Sequence, residues 1–186
     1  MGAYKYIKQS FQQEYAERSV SARNRLSSWN KEPPMRRIDK PTNVARAREL
    51  GYKDKQGVVI VRARIRKGLS KREKPSKGRK PSKSGRFFSR KKSAQSIAEE
   101  RASRAHSNCE VLNSYYVGED GKSSYYEVIM LDRTHGSVLS DPLYSTVVKA
   151  RGRAYRGLTA SGRRHRGIMS RDGTRTGTSV RQAERS

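Results

Sequence analysis

One stretch, residues 55–92, limits what this chain can fold into more than any other. Its first part, Val58–Arg66, has the pattern of a strand that needs a protein core, whereas residues 67–92 are highly charged and contain few residues that could build a core. Residues 62–92 hold 15 Lys or Arg and one acid, Glu73, a net charge of +14 out of the chain's +26. Such a block repels itself and buries too little apolar surface to offset its ordering entropy. We therefore expect a small folded body that carries a basic arm at 67–92.

Alternation along Val58–Arg66 predicts a strand with two different faces. The apolar face consists of Val59, Val61, Ala63 and Ile65. The other face continues into Arg62, Arg64 and Arg66, which repel one another unless an anion lies over them. We interpret these three arginines as a phosphate-contacting ridge; plain solvated surface is the alternative.

The arm is long enough to follow a polyanion. Its 26 residues could reach about 40 Å out and back at about 3.3 Å per residue. Two Lys-Pro bonds favour extended backbone before each proline. A solvated linker is the alternative, but Phe87 and Phe88 inside the basic run favour an arm that docks on RNA or on a core.

Composition bounds the class of protein. The 186 residues suffice for one domain plus extensions, and a net charge of +26 with a pI near 10.8 indicates nucleic acid or another polyanion as the partner. The single cysteine, Cys109, excludes an internal disulfide and a paired-cysteine zinc site. No apolar run approaches 18 residues, so we expect no membrane span, and the N-terminus lacks an apolar signal core.

Helical periodicity marks the N-terminal 50 residues. A stripe that starts at Tyr4 and runs through Tyr15 to Trp29 predicts one helix over residues 3–30. This stripe either packs on the body or stacks on bases. Residues 35–41 are predicted to be a basic connector, and a short helix capped at Thr42 is predicted to end at Leu50.

The second half of the chain contains an acidic segment followed by a basic one. We predict a helix over 93–106 with a small-residue face, and a hairpin over 109–132 that turns at Asp120-Gly121. Residues 107–148 have a net charge of −4, so we expect the hairpin tip to avoid phosphate and to face solvent or a basic protein neighbour. Residues 149–186 carry +9 and form a second basic extension that orders on a partner.

Candidate catalytic and nucleotide sites are weak. The three histidines, His106, His135 and His165, are far apart in sequence, and no acidic cluster or ligand pair predicts a metal, a cofactor or an enzyme. The run from Gly157 to Gly162 resembles a phosphate-binding loop, but it lacks the Lys and the Ser or Thr that such a loop needs. Its glycines can still let backbone approach phosphate closely.

Several blocks together resemble one family. They are the N-terminal MGAYKYI and the segments LGYKDKQG (50–57), RARIRKG (62–68), SIAEERA (96–102), VLNSYYVGED (111–120) and RGLTASG (156–162). In this order they resemble the L15e family of archaeal and eukaryotic large-subunit ribosomal proteins, and the short chain favours an archaeal member. The arm, the connector and the tail depart from the pattern.

The resemblance implies a structural protein of the cytoplasmic ribosome, with no catalytic role, that binds large-subunit ribosomal RNA and neighbouring ribosomal proteins. It also implies an α+β body, a small antiparallel sheet with helices packed on one side, plus long basic extensions ordered on RNA. We divide the chain into an N-terminal helical segment 1–50, a body 51–148 with the inserted arm 67–92, and a C-terminal extension 149–186. We expect no small-molecule substrate and no homo-oligomer.

An architectural DNA-compacting protein is the main alternative, an RNA-processing enzyme the next, and a membrane-active cationic protein the most distant. We expect recognition of RNA shape and backbone, with few base-specific contacts. The candidate RNA-contacting residues are Arg36, Arg37, Arg46, Arg48, Lys53, Arg62, Arg64, Arg66, Lys67, Lys71, Arg72, Lys77, Arg79, Lys80, Lys83, Arg86, Phe87, Arg90, Lys91, Lys92, Arg151, Arg153, Arg156, Arg163, Arg164, His165, Arg166 and Arg171.

Overall fold

Eleven helices and strands succeed one another in the computed structural model, which describes residues 2–68 and 92–168. In chain order they are α1 Ala3–Glu17, α2 Val20–Lys31, β1 Met35–Ile38, α3 Val44–Glu49, β2 Val58–Arg66, α4 Ala94–Ala105, β3 Cys109–Glu119, β4 Ser123–Asp132, α5 Gly136–Leu139, α6 Pro142–Lys149 and α7 Ala160–His165. The predictions for residues 69–91 and 169–186 lie outside the described ranges.

The centre of the fold is an antiparallel sheet in the order β1-β2-β4-β3. The predicted strand and hairpin are both confirmed, since β2 pairs with β4 along its full length and β3 pairs with β4. Asp120 fixes the turn, because its Oδ1 accepts the backbone N–H groups of Lys122 at 2.7 Å and Ser123 at 2.5 Å. The α+β class is therefore confirmed.

Helices cover both faces of the sheet, whereas the resemblance implied helices on one side. On one face, which we call the α4 face, Val61 and Met130 pack against α4. On the opposite face, the α2–α3 face, Ile60 and Ile129 pack against Trp29 of α2 and other side chains of the N-terminal half. Because Ile60 and Val61 are consecutive in β2, they point to opposite sides of the sheet.

Small side chains let α4 approach the sheet closely. Ala98 and Ala102 are fully buried, as the predicted small-residue face requires. The helix begins at the N-cap Ser93, whose Oγ accepts the N–H of Ser96 at 3.1 Å. The predicted helix 93–106 is thus confirmed to within one residue at each end.

A third apolar cluster lies where β4 ends and packs against α5 and α6. Leu131 of β4 packs there with Val138 of α5 and Tyr144 of α6. Gly57 precedes β2 with φ +84°, and a Cβ at this position would lie 2.6 Å from Val138 Cγ2. Only glycine fits this approach without strain.

The prediction of one helix over residues 3–30 is wrong in one respect, because this segment forms two helices, α1 and α2. Arg18 is left-handed, with φ 49°, and Ser19 caps α2 by accepting the N–H of Ala22 at 3.2 Å. Tyr15 and Ala22 are seven residues apart, about two helical turns, so the apolar period continues across the break and conceals it.

The predicted connector contains a strand. Met35–Ile38 pairs with β2 as an edge strand, with Met35 opposite Ala63. Its two arginines occupy consecutive exposed positions, so the sequence shows no alternation. The short helix α3 is confirmed, but Asn43 rather than Thr42 caps it, by accepting the N–H of Arg46 at 2.9 Å. None of the helices in the described ranges has the length and apolar character of a membrane span.

Candidate nucleic-acid interface

Four acidic residues of the body are buried inside it. Glu127 on β4 is fully buried on the α2–α3 face. It accepts the backbone N–H of Thr42 at 3.0 Å and also hydrogen bonds from the hydroxyls of Thr42 and Tyr115. Burial raises the pKa of Glu127, while these donors and the charge of Arg62 act in the opposite direction. One carboxylate thus fastens the segment before α3 to the sheet.

Glu99 makes the corresponding link on the α4 face. It is 1% exposed and accepts the hydroxyl of Thr159 at 2.5 Å and the hydroxyl of Ser114. Burial raises the pKa of Glu99. Because Thr159 is also the N-cap of α7, this carboxylate joins α4, β3 and the C-terminal extension.

Two further acidic residues bind groups of the same chain. Glu110 is 2% exposed and accepts the backbone N–H groups of Gly152 at 2.8 Å and Arg153 at 3.0 Å. Asp141 pairs with Lys53 at 2.7 Å and Lys55 at 3.1 Å, and these two hydrogen bonds hold its pKa at about 2. The expectation about solvent or a basic protein neighbour concerns the hairpin tip, Glu119 and Asp120, and stays a prediction, whereas Glu110 and Asp141 bind groups of this chain.

The β2 arginines do not form one exposed ridge. The Arg62 side chain is only 10% exposed, pairs with Glu32 at 2.5 Å and lies 4.3 Å from the Trp29 ring centroid. Arg64 donates to the backbone carbonyl of Asn30 at the end of α2. Arg66 is exposed. The anion that relieves repulsion at Arg62 is a carboxylate of the chain itself.

Most other N-terminal candidates are held by intramolecular partners. Arg36 pairs with Glu32 at 2.9 Å, Arg46 pairs with Glu49 at 2.6 Å, and Arg48 lies 5.0 Å from the Tyr4 ring centroid. Lys53 keeps 49% of its side chain exposed although it pairs with Asp141. Arg37 is exposed and makes no ion pair within the described ranges.

The C-terminal extension presents cations outward from α7. Arg163, Arg164 and His165 are consecutive, exposed, and make no side-chain hydrogen bond or ion pair within residues 2–68 and 92–168. Arg151 is also exposed, and its side chain makes no hydrogen bond or ion pair within the described ranges. The others bind backbone carbonyl groups: Arg153 that of Val111 at 2.8 Å, Arg156 that of Arg151 at 2.5 Å, and Arg166 that of Arg156 at 3.2 Å.

Gly157, in the loop that precedes α7, packs against Gly162 in the first turn of α7. A Cβ on Gly162 would lie 2.6 Å from Gly157 Cα, and Gly157 has φ +66°. Their small size therefore lets two backbone segments of this chain meet, whereas the sequence suggested an approach of backbone to phosphate. This contact holds α7 in place.

The arm leaves the body beside the hairpin tip. Lys67 pairs with Glu119 at 3.0 Å, its backbone N–H donates to Lys122 at 2.8 Å, and Lys92 pairs with Glu100 at 2.6 Å. The candidates that lie outside the described residues are Lys71, Arg72, Lys77, Arg79, Lys80, Lys83, Arg86, Phe87, Arg90, Lys91 and Arg171.

Sequence reasoning missed two cations on α4. Arg101 and Arg104 are exposed, and neither makes an ion pair within the described part of the chain. Arg101 lies three residues after Ala98 and four after Ile97, so helical periodicity alone places it beside the small-residue face. Only the structure shows that both arginines are exposed. Among the described residues no group of three or more His, Cys, Asp or Glu side chains could hold a metal ion.

Two comparisons with known proteins found similar sequences. The family model described as "Ribosomal L15" matches residues 2–186. The chain is 49% identical over 148 residues to the "Large ribosomal subunit protein eL15" of Methanocorpusculum labreanum, an alignment that covers 79% of this chain and 76% of the relative.

Proposed function

The chain belongs to the L15e family of large-subunit ribosomal proteins, and from this premise we propose that its outward-facing cations hold large-subunit ribosomal RNA. Membership makes the chain a structural constituent of the large subunit of the cytoplasmic ribosome, and not an enzyme. The comparisons give no support to the DNA-compacting alternative.

One observation carries the proposal, which is the opposite placement of the two kinds of charge. Four acidic side chains are at most 8% exposed and make hydrogen bonds or ion pairs within the chain: Glu99, Glu110, Glu127 and Asp141. The cations of α7 and the exposed face of α4 have no such partners within the described ranges. The surface potential is therefore more positive than the sequence order of charges suggests, which favours a polyanion.

The proposed interface differs from the candidate set in three residues. Arg62 has little exposed surface and is ion-paired, so we leave it out of the RNA interface and assign it to folding. We keep the other candidates and add Arg101 and Arg104. Neighbouring large-subunit proteins are the further partners we propose, and which of them touch this chain stays open to experiment.

Salt-dependent binding tests this proposal. The full chain is titrated with large-subunit ribosomal RNA across a salt series in a filter-binding assay. Each lost phosphate contact should reduce the magnitude of the log–log slope by about 0.7–0.9, so the triple variant R37A/R151A/R163A should reduce it by about 2–3. The matched triple R37K/R151K/R163K keeps the charge and should keep the slope.

Two results would contradict the proposal. One is equal affinity for duplex DNA of the same length, which would favour the DNA-compacting class. The other is failure of the chain to sediment with the large subunit through a moderate-salt sucrose gradient, or sedimentation that survives ribonuclease treatment.

A further inference from the structure

A recessed polar groove lies between α1, α3 and the opposite wall formed by β3, α4 and α7. Its volume is about 420 Å³. Ligand sites of small molecules usually have about 300–1,000 Å³, so the groove can hold one nucleotide-sized group.

Cations and carboxamides line this groove, and no carboxylate does so among the described residues. Lys8 and Arg46 stand on one wall and share Glu49, at 2.9 Å and 2.6 Å. Arg164 stands on the opposite wall and makes no hydrogen bond or ion pair from its side chain within the described ranges. With Glu49 counted, these groups leave a local charge of about +2, which suits a phosphodiester.

The carboxamides offer both acceptors and donors. The Nε2 of Gln95 donates to the carbonyl and to the hydroxyl of Ser114, each at 2.9 Å. Its Oε1 is an acceptor that has no partner among the described residues. Asn113 accepts the Ser114 N–H at 2.9 Å and keeps its amide N–H groups as donors. Gln12 makes no hydrogen bond within the described chain. A side-chain amide with both functions matches the edge of adenine.

An aromatic ring completes the set. Tyr116 is 37% exposed, lines the groove, and is held by edge-on contacts with Tyr15 at 6.0 Å and Tyr126 at 5.8 Å between ring centroids. A hydrogen bond of 2.7 Å between the Tyr15 and Tyr116 hydroxyls fixes it further. Unpaired bases in RNA-binding proteins stack on rings of this kind.

We propose that the groove binds an unpaired nucleotide of RNA, with adenine favoured, its base among Tyr116, Gln12, Gln95 and Asn113 and its phosphate on Arg164. The inference rests on the proposed RNA-binding function and extends it, because the other exposed cations contact backbone only. An acidic protein segment is the rival occupant. The carboxamides favour RNA, since a run of carboxylates needs cations and does not use the amide acceptors.

A bulged RNA hairpin tests the groove. Binding of the full chain is measured by fluorescence anisotropy for three labelled hairpins of equal length: one with a single bulged adenine, one fully paired, and one with an abasic bulge. Stacking and edge contacts should make the bulged-adenine hairpin bind about tenfold more tightly than either of the others.

Adjacent arginines provide a matched pair of variants. R164A should abolish most of this preference, because it removes the phosphate contact inside the groove. R163A removes the same charge one residue away, outside the groove lining, and should weaken binding to all three hairpins equally. Q12A, on an exposed helix position, should reduce the preference without changing the circular dichroism spectrum.

The possible failures are distinguishable. Equal affinity for the three hairpins, or equal effects of R164A and R163A on the preference, would overturn the groove assignment while leaving RNA binding intact. Tight binding of a fluorescent poly-glutamate peptide that R164A abolishes and R163A does not, without any bulge preference, would assign the groove to an acidic protein segment. Absence of salt-dependent binding to every RNA would instead overturn the proposed function itself.

Discussion

Two buried glutamates fasten the two ends of the described chain, one on each face of the sheet. On the α2–α3 face, Glu127 binds Thr42 and Tyr115 and so secures the N-terminal segment. On the α4 face, Glu99 binds Ser114 and Thr159 and so secures the C-terminal extension. The difference lies in the donors, because Glu127 receives a backbone N–H in addition to hydroxyls and Glu99 receives hydroxyls only.

This difference indicates which glutamate is harder to replace. A hydroxyl can turn toward another acceptor when its own is lost, whereas a backbone N–H is fixed in direction and is then left unpaired. We infer that loss of the Glu127 acceptor costs more free energy of unfolding than loss of the Glu99 acceptor. The C-terminal extension is held in addition by Glu110, which accepts the backbone N–H groups of Gly152 and Arg153.

The largest expected effect comes from removing each carboxylate. E127A should lower the free energy of unfolding by about 4 kcal/mol, because it removes the acceptor of one backbone N–H and two hydroxyls, and E99A by about 2 kcal/mol, because it removes the acceptor of two hydroxyls. Urea denaturation of the two variants measures the difference. An equal loss for both would contradict the distinction between backbone and hydroxyl donors.

The arginines on the two faces give the next largest effect. R62A should cost about 3 kcal/mol, because it removes a mostly buried ion pair with Glu32 and the contact with Trp29. R153A removes one hydrogen bond to the Val111 carbonyl and should cost about 1 kcal/mol. The same denaturation series checks both values, and a normal salt slope for R62A on RNA would support its assignment to folding.

The glycine contact tests the C-terminal attachment alone. G162A places a Cβ 2.6 Å from Gly157 Cα and should cost about 2 kcal/mol by overpacking. Limited proteolysis should then cleave near α7 first, while the sheet stays protected. G136A is the matched control, since a Cβ there meets nothing within 4 Å, and it should behave as the unsubstituted chain does.

The smallest expected effect is on the pH dependence of stability. Burial raises the pKa of Glu127 and Glu99 above 4.5, so their stabilising contribution is complete below pH 4.5 and is lost as the pH rises through the folded pKa. Asp141, with its pKa at about 2, acts oppositely: its contribution is present above pH 3.8 and is lost as the pH falls toward 2.

Melting temperatures measured from pH 2 to pH 8 separate the two signs. E127Q should flatten the decline of the melting temperature on the alkaline side, and D141N should flatten the decline at the acid end. If the E127Q curve ran parallel to that of the unsubstituted chain at all pH values, the protonation of Glu127 would not contribute to stability.

The sequence by itself determined the elements with strong local signals. Alternation located β2 to the residue, the Asp120-Gly121 pair located the hairpin turn, and the small-residue period located α4 to within one residue at each end. The sequence also determined the large positive charge, because net charge depends on composition alone.

Only the tertiary structure decided where the charges lie. Thr42 and Glu127 are 85 residues apart, and Arg62 and Glu32 are 30 apart, so no local pattern reveals that they pair. The edge strand β1 has no alternation of its own and exists because β2 offers it a partner. Local periodicity determines the preferred backbone conformation of a segment. The burial of a carboxylate depends instead on which distant parts of the chain pack together, and this packing makes the buried acids of residues 107–148 partners of groups in the same chain.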